Sequence, residues 1–156
     1  MSTAARELPF FVYGTLRPGA YNHDRFLLGR TVAEEPARLA GALLYDGPGY
    51  PYAVPAEGRT VAGTAAGIAG DLVTAAPGAY GELLAVLDLL EEYRGPGHPR
   101  NLYERVEREV LRVRDGAAVR AWVYFAAPGV PLGPPVTGGD WFSRSVPPTP
   151  GAPRTP

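Results

Sequence analysis

A short apolar run at residues 10–13 stops abruptly at a glycine, and this arrangement constrains the fold more than any other stretch. The run reads Phe-Phe-Val-Tyr and is followed by Gly14, Thr15 and Leu16, then by a turn that ends at Gly19. It predicts a buried first strand that leads into a loop. Backbone N–H groups at such a strand end can hold an anion or a carbonyl oxygen. Taken alone, the pattern favours an ordinary strand exit over a binding loop.

Length, charge and hydropathy exclude several kinds of partner. The chain has 156 residues and a net charge of −1, which suits one globular domain without the basic surface that nucleic acid or membrane binding requires. No apolar run approaches the roughly 20 residues of a membrane helix. Residues 1–8 also lack the basic-then-apolar order of a signal peptide. We therefore expect a cytoplasmic protein that binds neither nucleic acid nor membranes.

The missing residue types narrow the chemistry. The chain has no cysteine and no lysine, which excludes thiolate nucleophiles, thiolate metal sites and Schiff bases. None of its three serines stands in a Gly-x-Ser-x-Gly motif, and its histidines number only two. We therefore expect carboxylates, hydroxyls and backbone groups to carry any catalysis, with no metal and no cofactor.

The first half of the chain predicts short strands separated by Gly- and Pro-rich turns. After the strand at residues 10–13, a second strand is predicted at residues 37–45, and weaker strand signals lie at residues 59–61 and 66–73. Asn22 is predicted to cap a short helix. Residues 46–52 are predicted to form an irregular loop, because Gly and Pro interrupt them repeatedly.

One strong helix is predicted, at residues 79–92. Its apolar positions follow helical spacing, and they are Tyr80, Leu83, Leu84, Leu87 and Leu90. At about 100° per residue, Glu91 lies roughly 40° from the centre of this apolar stripe. Burial there would raise the pKa of its carboxyl and suit a general acid or base. The alternative is a carboxylate that frays outward from the helix end or pairs with an arginine.

The second half of the chain predicts a β-hairpin. Two alternating segments, residues 103–114 and 117–125, flank Asp115-Gly116, which is the strongest hairpin signal in the sequence. Many short strands and one or two helices indicate an α+β protein, a small mixed β-barrel with flanking helices. We expect a flexible arm at residues 1–8, a single domain at 9–146 and a disordered Pro-rich tail at 147–156.

Several motifs together resemble the gamma-glutamylcyclotransferase-like (AIG2-like) family. The opening signature is residues 12–19 followed by Asn22-His23, and the second is residues 87–91 followed by Tyr93 and residues 103–106. Residues 41–45, 49–51, 122–124 and 139–141 match further segments in the same order. The match extends over roughly residues 9–142. The chain departs from the family in having Glu92 where glycine usually follows the acid.

This resemblance implies a cavity at one end of the barrel, with Glu91 as its catalytic acid. It implies that the substrate is a small molecule with a gamma-glutamyl group, bound by the loop and by neighbouring aromatic and polar residues. The implied substrate-binding residues are Tyr13, Gly14, Thr15, Leu16, Asn22, Tyr50 and Tyr103. From the residues alone, Asn22-His23 favours a helix cap followed by a surface histidine, and Tyr103 is compatible with an ordinary hairpin position.

The implied reaction is cyclisation of the gamma-glutamyl group to 5-oxoproline, with release of the amine or amino acid attached to it. Such an enzyme is a cyclising acyltransferase or lyase that needs no covalent intermediate. Two alternatives stay open: a non-catalytic small-ligand binding module of the same fold, and a biosynthetic enzyme that removes a gamma-glutamyl protecting group from a specialised amine.

Overall fold

The computed structural model describes residues 7–20, 22–56 and 67–142, and within these residues five strands form a closed barrel. The elements run in the order β1 (Phe10–Val12), α1 (His23–Phe26), β2 (Thr31–Ala40), β3 (Ala42–Tyr45), β4 (Tyr52–Pro55), β5 (Gly67–Ala75), α2 (Tyr80–Leu90), β6 (Tyr103–Arg112) and β7 (Ala118–Ala126). The barrel order is β1-β5-β2-β6-β7, and β3 and β4 form a separate two-stranded sheet. Parallel pairing of β1 with β7 closes the barrel. The predicted α+β barrel is thus confirmed.

Strand β1 is buried on both faces, which explains its uninterrupted apolar sequence. Phe11 belongs to a buried cluster with Val123 of β7. Phe10 belongs to a second cluster, with Leu83 and Leu87 of α2. Because successive side chains of a strand point to opposite faces, one three-residue strand joins the barrel strands to the helix packed outside them.

Helix α2 confirms the predicted helix and ends just before the candidate acid. Leu83 and Leu87 are fully buried, and burial of each contributes about 1.5–3 kcal/mol. Glu91 is the C-cap residue, with φ −85° and ψ 4°. Glu92 follows with φ 54°, which is the left-handed conformation that commonly ends helices and favours glycine.

The single strand predicted at residues 37–45 is wrong, because the segment is divided between two sheets. β2 begins earlier, at Thr31, and pairs with β5, whereas β3 pairs with β4. Gly41 separates them with φ 72°, a conformation that glycine adopts without steric cost. Strand β4 was not predicted, since it directly follows a loop rich in Gly and Pro.

Of the remaining predicted segments, two correspond to elements of the structure and one is wrong. The hairpin is confirmed: β6 and β7 pair antiparallel around Gly116, whose φ is 70°. The prediction for residues 66–73 corresponds to β5. Asn22 precedes α1, but its side chain makes no capping hydrogen bond, so the predicted side-chain cap is wrong.

Three predictions concern residues that the structure does not fully describe. They are the strand signal at residues 59–61, the tail at residues 147–156 and most of the arm at residues 1–8. Within the arm, residues 7 and 8 are described, and Leu8 is buried. None of the helices in the described part of the chain has the length and apolar character to cross a membrane.

Candidate active site

Two adjoining pockets open where the end of β1, the end of α2 and the start of β6 meet. The inner pocket has about 360 Å³ of free space including its mouth and is lined by Phe11, Val12, Tyr13, Gly14, Thr15, Leu16, Tyr50, Pro51, Glu91, Tyr103 and Tyr124. The outer pocket has about 520 Å³ on the same measure and is lined by Thr15, Asn22, Tyr50, Leu90, Glu91, Glu92, Leu102 and Tyr103. Thr15, Tyr50, Glu91 and Tyr103 line both pockets and mark their junction.

All eight residues singled out in the sequence are brought together here. Asn22 lies in the outer pocket, and the other seven line the inner one. Sequence reasoning did not single out Phe11, Tyr124, Leu90 or Leu102. Alternation along β7 places Tyr124 on the face that packs against α2, so this signal could have identified it. No sequence signal places Leu90 or Leu102 in a pocket.

Backbone N–H groups of residues 14–16 are available at the pocket wall. Asn22 fixes this loop twice, since its backbone N–H donates to the Thr15 carbonyl and its Nδ2 donates to Thr15 Oγ1, both at 2.9 Å. The Arg17 N–H donates to the Gly14 carbonyl at 3.1 Å. Within residues 7–20, 22–56 and 67–142, no acceptor takes the N–H of Gly14, Thr15 or Leu16. The loop is therefore held in shape while its donors remain unused.

Arg17 secures the far side of the same loop. Its guanidinium donates from Nε to Asp71 and from Nη1 to Asp140, both at 2.9 Å, and it lies 4.4 Å from the centre of the Phe142 ring. These contacts connect the loop to β5 and to the last described residues of the chain. Sequence reasoning treated Arg17 only as part of a motif.

Gly14 is a site of close approach. A Cβ placed there would lie 2.6 Å from Pro51 Cδ and 2.8 Å from Pro51 Cγ. The Pro51 carbonyl in turn accepts a hydrogen bond from the Tyr103 hydroxyl at 2.7 Å. Glycine at this position therefore lets the loop and residue 51 meet at the pocket floor.

We expect Gly14→Ala to lower the free energy of unfolding by about 1–3 kcal/mol, because the added methyl group must displace Pro51. Urea denaturation followed by tryptophan fluorescence measures this. Gly81→Ala is the matched control, since nothing lies within 4 Å of a Cβ at Gly81, and alanine in a helix is favoured by about 0.5–1 kcal/mol. Equal stability of Gly14→Ala and the wild type would contradict the close approach.

Among the described residues that line the inner pocket, Glu91 is the only one with a carboxyl group. Among the described residues, no group donates a hydrogen bond to its carboxyl oxygens, and it makes no ion pair with any of them. Desolvation by burial, helped by the nearby negative charge of Glu92, raises the pKa of Glu91 to about 8. The residue keeps part of its surface open to solvent. Glu91 is therefore able to exchange a proton with a ligand near neutral pH.

Asp88 anchors the end of α2 one turn before Glu91. Its Oδ1 accepts hydrogen bonds from the Tyr124 hydroxyl at 2.6 Å and from Arg105 Nε at 2.9 Å. Arg105 also lies over the Trp122 ring, 4.3 Å from its centre. These contacts attach the helix end to β6 and β7, and they fix the position from which Glu91 enters the pocket.

The pocket tyrosines are engaged in structural hydrogen bonds. The Tyr13 hydroxyl donates to the Tyr124 carbonyl and accepts from the Ala53 N–H, and the Tyr103 hydroxyl donates to Pro51. Burial raises the pKa of Tyr13, Tyr103 and Tyr124 well above that of free tyrosine. All three hydroxyls therefore stay protonated at neutral pH and cannot serve as bases.

We expect Tyr13→Phe to lower the free energy of unfolding by about 1–3 kcal/mol, because it leaves the Ala53 N–H and the Tyr124 carbonyl unpaired in the core. Thermal or urea unfolding measures the loss. Tyr45→Phe is the control, since Tyr45 is also buried but its hydroxyl makes no hydrogen bond to the described residues. Equal losses in the two variants would show that the Tyr13 hydroxyl is not a structural bridge.

The histidines lie away from the pockets. His23 contacts Asp24 at 2.8 Å and Glu34 at 2.7 Å through its two ring nitrogens. The His98 ring accepts a hydrogen bond from the Arg100 N–H at 3.1 Å. Among the described residues, no group of three or more His, Cys, Asp or Glu side chains is placed to hold a metal ion.

Among the described residues, the carboxyl that faces the pocket has no partner, and backbone donors in the pocket wall have no acceptor. A small barrel with such a site suits a protein that binds a small polar ligand and moves a proton on it. The particular family follows from comparison with known proteins. The model of the family described as "Gamma-glutamyl cyclotransferase, AIG2-like" matches residues 10–143. The chain belongs to this family.

A curated relative agrees with this assignment. Over 114 residues the chain is 37% identical to the Gamma-L-glutamyl-butirosin B gamma-glutamyl cyclotransferase of Niallia circulans. The match covers 73% of this chain and 64% of that relative, so this chain corresponds to less than two thirds of the relative's length.

Two crystal structures show the same fold. An uncharacterized protein from Pyrococcus horikoshii matches with a TM-score of 0.57 and 20% identity, over 86% of this chain and 89% of that chain. An AIG2-like protein from Mus musculus matches with a TM-score of 0.54 and 23% identity, over 80% of this chain and 84% of that chain.

Proposed function

We propose that the protein is a gamma-glutamyl cyclotransferase that converts the gamma-glutamyl group of a gamma-glutamyl amine or amino acid to 5-oxoproline and releases the amine. One observation carries the proposal: Glu91, a carboxyl with raised pKa and no partner among the described residues, lies in a pocket whose wall also contains three unused backbone N–H groups. Family membership supports it. So does the gamma-glutamyl cyclotransferase activity for which the Niallia circulans relative is named.

The inner pocket suits the glutamyl part of such a substrate. The N–H groups of residues 14–16 are donors for an α-carboxylate or for the oxyanion that develops on the γ-carbonyl. Phe11 and Val12 offer apolar contact to the side-chain methylenes. A substrate confined here is held folded, which brings its α-amine towards its own γ-carbonyl and replaces an encounter between two molecules by an intramolecular attack.

Glu91 moves the protons. As a carboxylate it takes one proton from the substrate's α-ammonium, and the resulting amine attacks the γ-carbonyl carbon. The new C–N bond closes a five-membered ring, and the N–H donors of the loop stabilise the tetrahedral oxyanion. Glu91 then gives its proton to the departing nitrogen as the old C–N bond breaks. The ring nitrogen gives its second proton to the Glu91 carboxylate, which passes it to the released amine. The amine leaves as an ammonium ion, and Glu91 returns to its carboxylate form.

The direct test is release of 5-oxoproline from a panel of gamma-glutamyl amines and gamma-glutamyl dipeptides, measured by liquid chromatography with mass spectrometry. Turnover of at least one substrate, with the amine released in equal amount, is the expected result. Binding across the panel without turnover would overturn the proposal and leave a ligand-binding module of the same fold.

A further inference from the structure

Among the residues that the structure describes, the outer pocket has acidic residues in its wall and no basic one. Besides the four residues at the junction it is lined by Asn22, Leu90, Glu92 and Leu102. Two arginines on neighbouring segments are engaged in other contacts: Arg105 pairs with Asp88, and Arg94 donates to the Arg100 carbonyl. An exposed carboxylate at the rim of a partly apolar pocket is complementary to a cation on an alkyl or ring framework.

The position of Glu91 fixes which part of the substrate occupies this pocket. Under the proposed function, on which this inference rests, the acid must reach the nitrogen that departs. Glu91 lines both pockets, so that nitrogen lies at their junction. The glutamyl group fills the inner pocket, where the backbone donors are, and the remainder of the leaving amine therefore extends into the outer pocket.

Glu92 occupies a conformation that favours glycine. Its φ of 54° lies in the left-handed region, which costs a side chain about 1–2 kcal/mol relative to glycine. Such a conformation at a pocket wall is a reason to look for a role of the side chain. Its exposure leaves the carboxylate accessible to a ligand, and the Tyr50 ring in the same wall adds a surface on which a cation can lie.

We infer that the outer pocket is a subsite for a cationic leaving group, and that Glu92 is the residue that selects it. The favoured substrates are then gamma-glutamyl amides of diamines or amino sugars, in which a second ammonium group lies several bonds beyond the scissile nitrogen. Neutral alkyl amines of the same size are poorer leaving groups for this enzyme because they leave the carboxylate without a partner.

A matched pair of substrates tests the inference. One is the mono-gamma-L-glutamyl amide of 1,5-diaminopentane, and the other is the gamma-L-glutamyl amide of n-hexylamine, which replaces the terminal ammonium by a methyl group. We expect kcat/KM to favour the cationic substrate by about 3-fold to 5-fold, as a solvent-exposed ion pair would provide. The preference should shrink as salt is raised.

Glu92→Gln should bring this ratio close to one, whereas Glu92→Asp should keep most of it. The ratio cancels any effect of residue 92 on Glu91, because that effect is common to both substrates. Glu109→Gln is the control, since it removes an equal charge from an exposed position of β6 and should leave the ratio unchanged.

The possible outcomes distinguish a failure of the proposed cyclotransferase activity from a failure of the cationic subsite. If neither these two substrates nor any member of the broader panel yields 5-oxoproline, the proposed function fails. If both substrates react equally in the wild type, or if the preference survives in Glu92→Gln, the activity stands and the cationic subsite at Glu92 is overturned.

Discussion

Replacing Glu91 by glutamine is expected to lower kcat for 5-oxoproline release by about 10²-fold to 10⁴-fold, the usual contribution of a general acid–base residue. Glutamine keeps nearly the same shape and cannot take or return a proton. The folded substrate still fits the inner pocket, so KM should change far less than kcat. Steady-state kinetics on the best substrate of the panel separates these two parameters.

The control for this variant is Glu109→Gln, which makes the same chemical change on the exposed face of β6 and should retain full activity. Circular dichroism checks that both variants are folded. A Glu91→Gln protein that folds normally and keeps full cyclotransferase activity would contradict the mechanism, since no other carboxyl lies in the inner pocket among the described residues.

Local signals in the sequence were sufficient to predict much of the fold. The leucine spacing of residues 79–92 predicted α2, and Asp115-Gly116 predicted the β6–β7 hairpin. Both depend on neighbours in the chain. The division of residues 37–45 between two sheets depends on partners far away, β5 for one half and β4 for the other, and apolar composition alone does not distinguish one long strand from two.

The same limit applies to the candidate site: features set by neighbours in the chain could be predicted, and features set by distant partners could not. Helical geometry placed Glu91 on the buried side of α2 without any knowledge of the pocket. It did not reveal that the Tyr13 hydroxyl bridges the Ala53 N–H and the carbonyl of Tyr124, because these groups are separated by 40 and 111 positions in the chain. Nor did it show that Glu91 lacks a partner among the described residues, since the absence of a contact is known only once all the neighbours are placed.

Glu91 should also make the wild type less stable than Glu91→Gln at alkaline pH. Burial raises its pKa from 4.5 in the unfolded chain to about 8 in the native state. Below pH 4.5 both states hold the proton and the carboxyl carries no penalty. As pH rises towards 8 the unfolded state gives up its proton first, so native stability falls progressively, and above 8 the loss is complete.

The glutamine variant has no such titration, so the difference in unfolding free energy between the two proteins should grow between pH 5 and 9. We expect a final advantage of about 1–3 kcal/mol for Glu91→Gln. Each unit of pKa shift corresponds to about 1.4 kcal/mol. The expected advantage is smaller than this conversion gives, because the residue is partly solvated. Urea denaturation across this range measures it, and the raised pKa of His23 cancels because both proteins share it. A difference that does not change with pH would show that Glu91 is not held in a desolvating pocket. The expected increase with pH would mean that the residue proposed to carry catalysis destabilises the native fold.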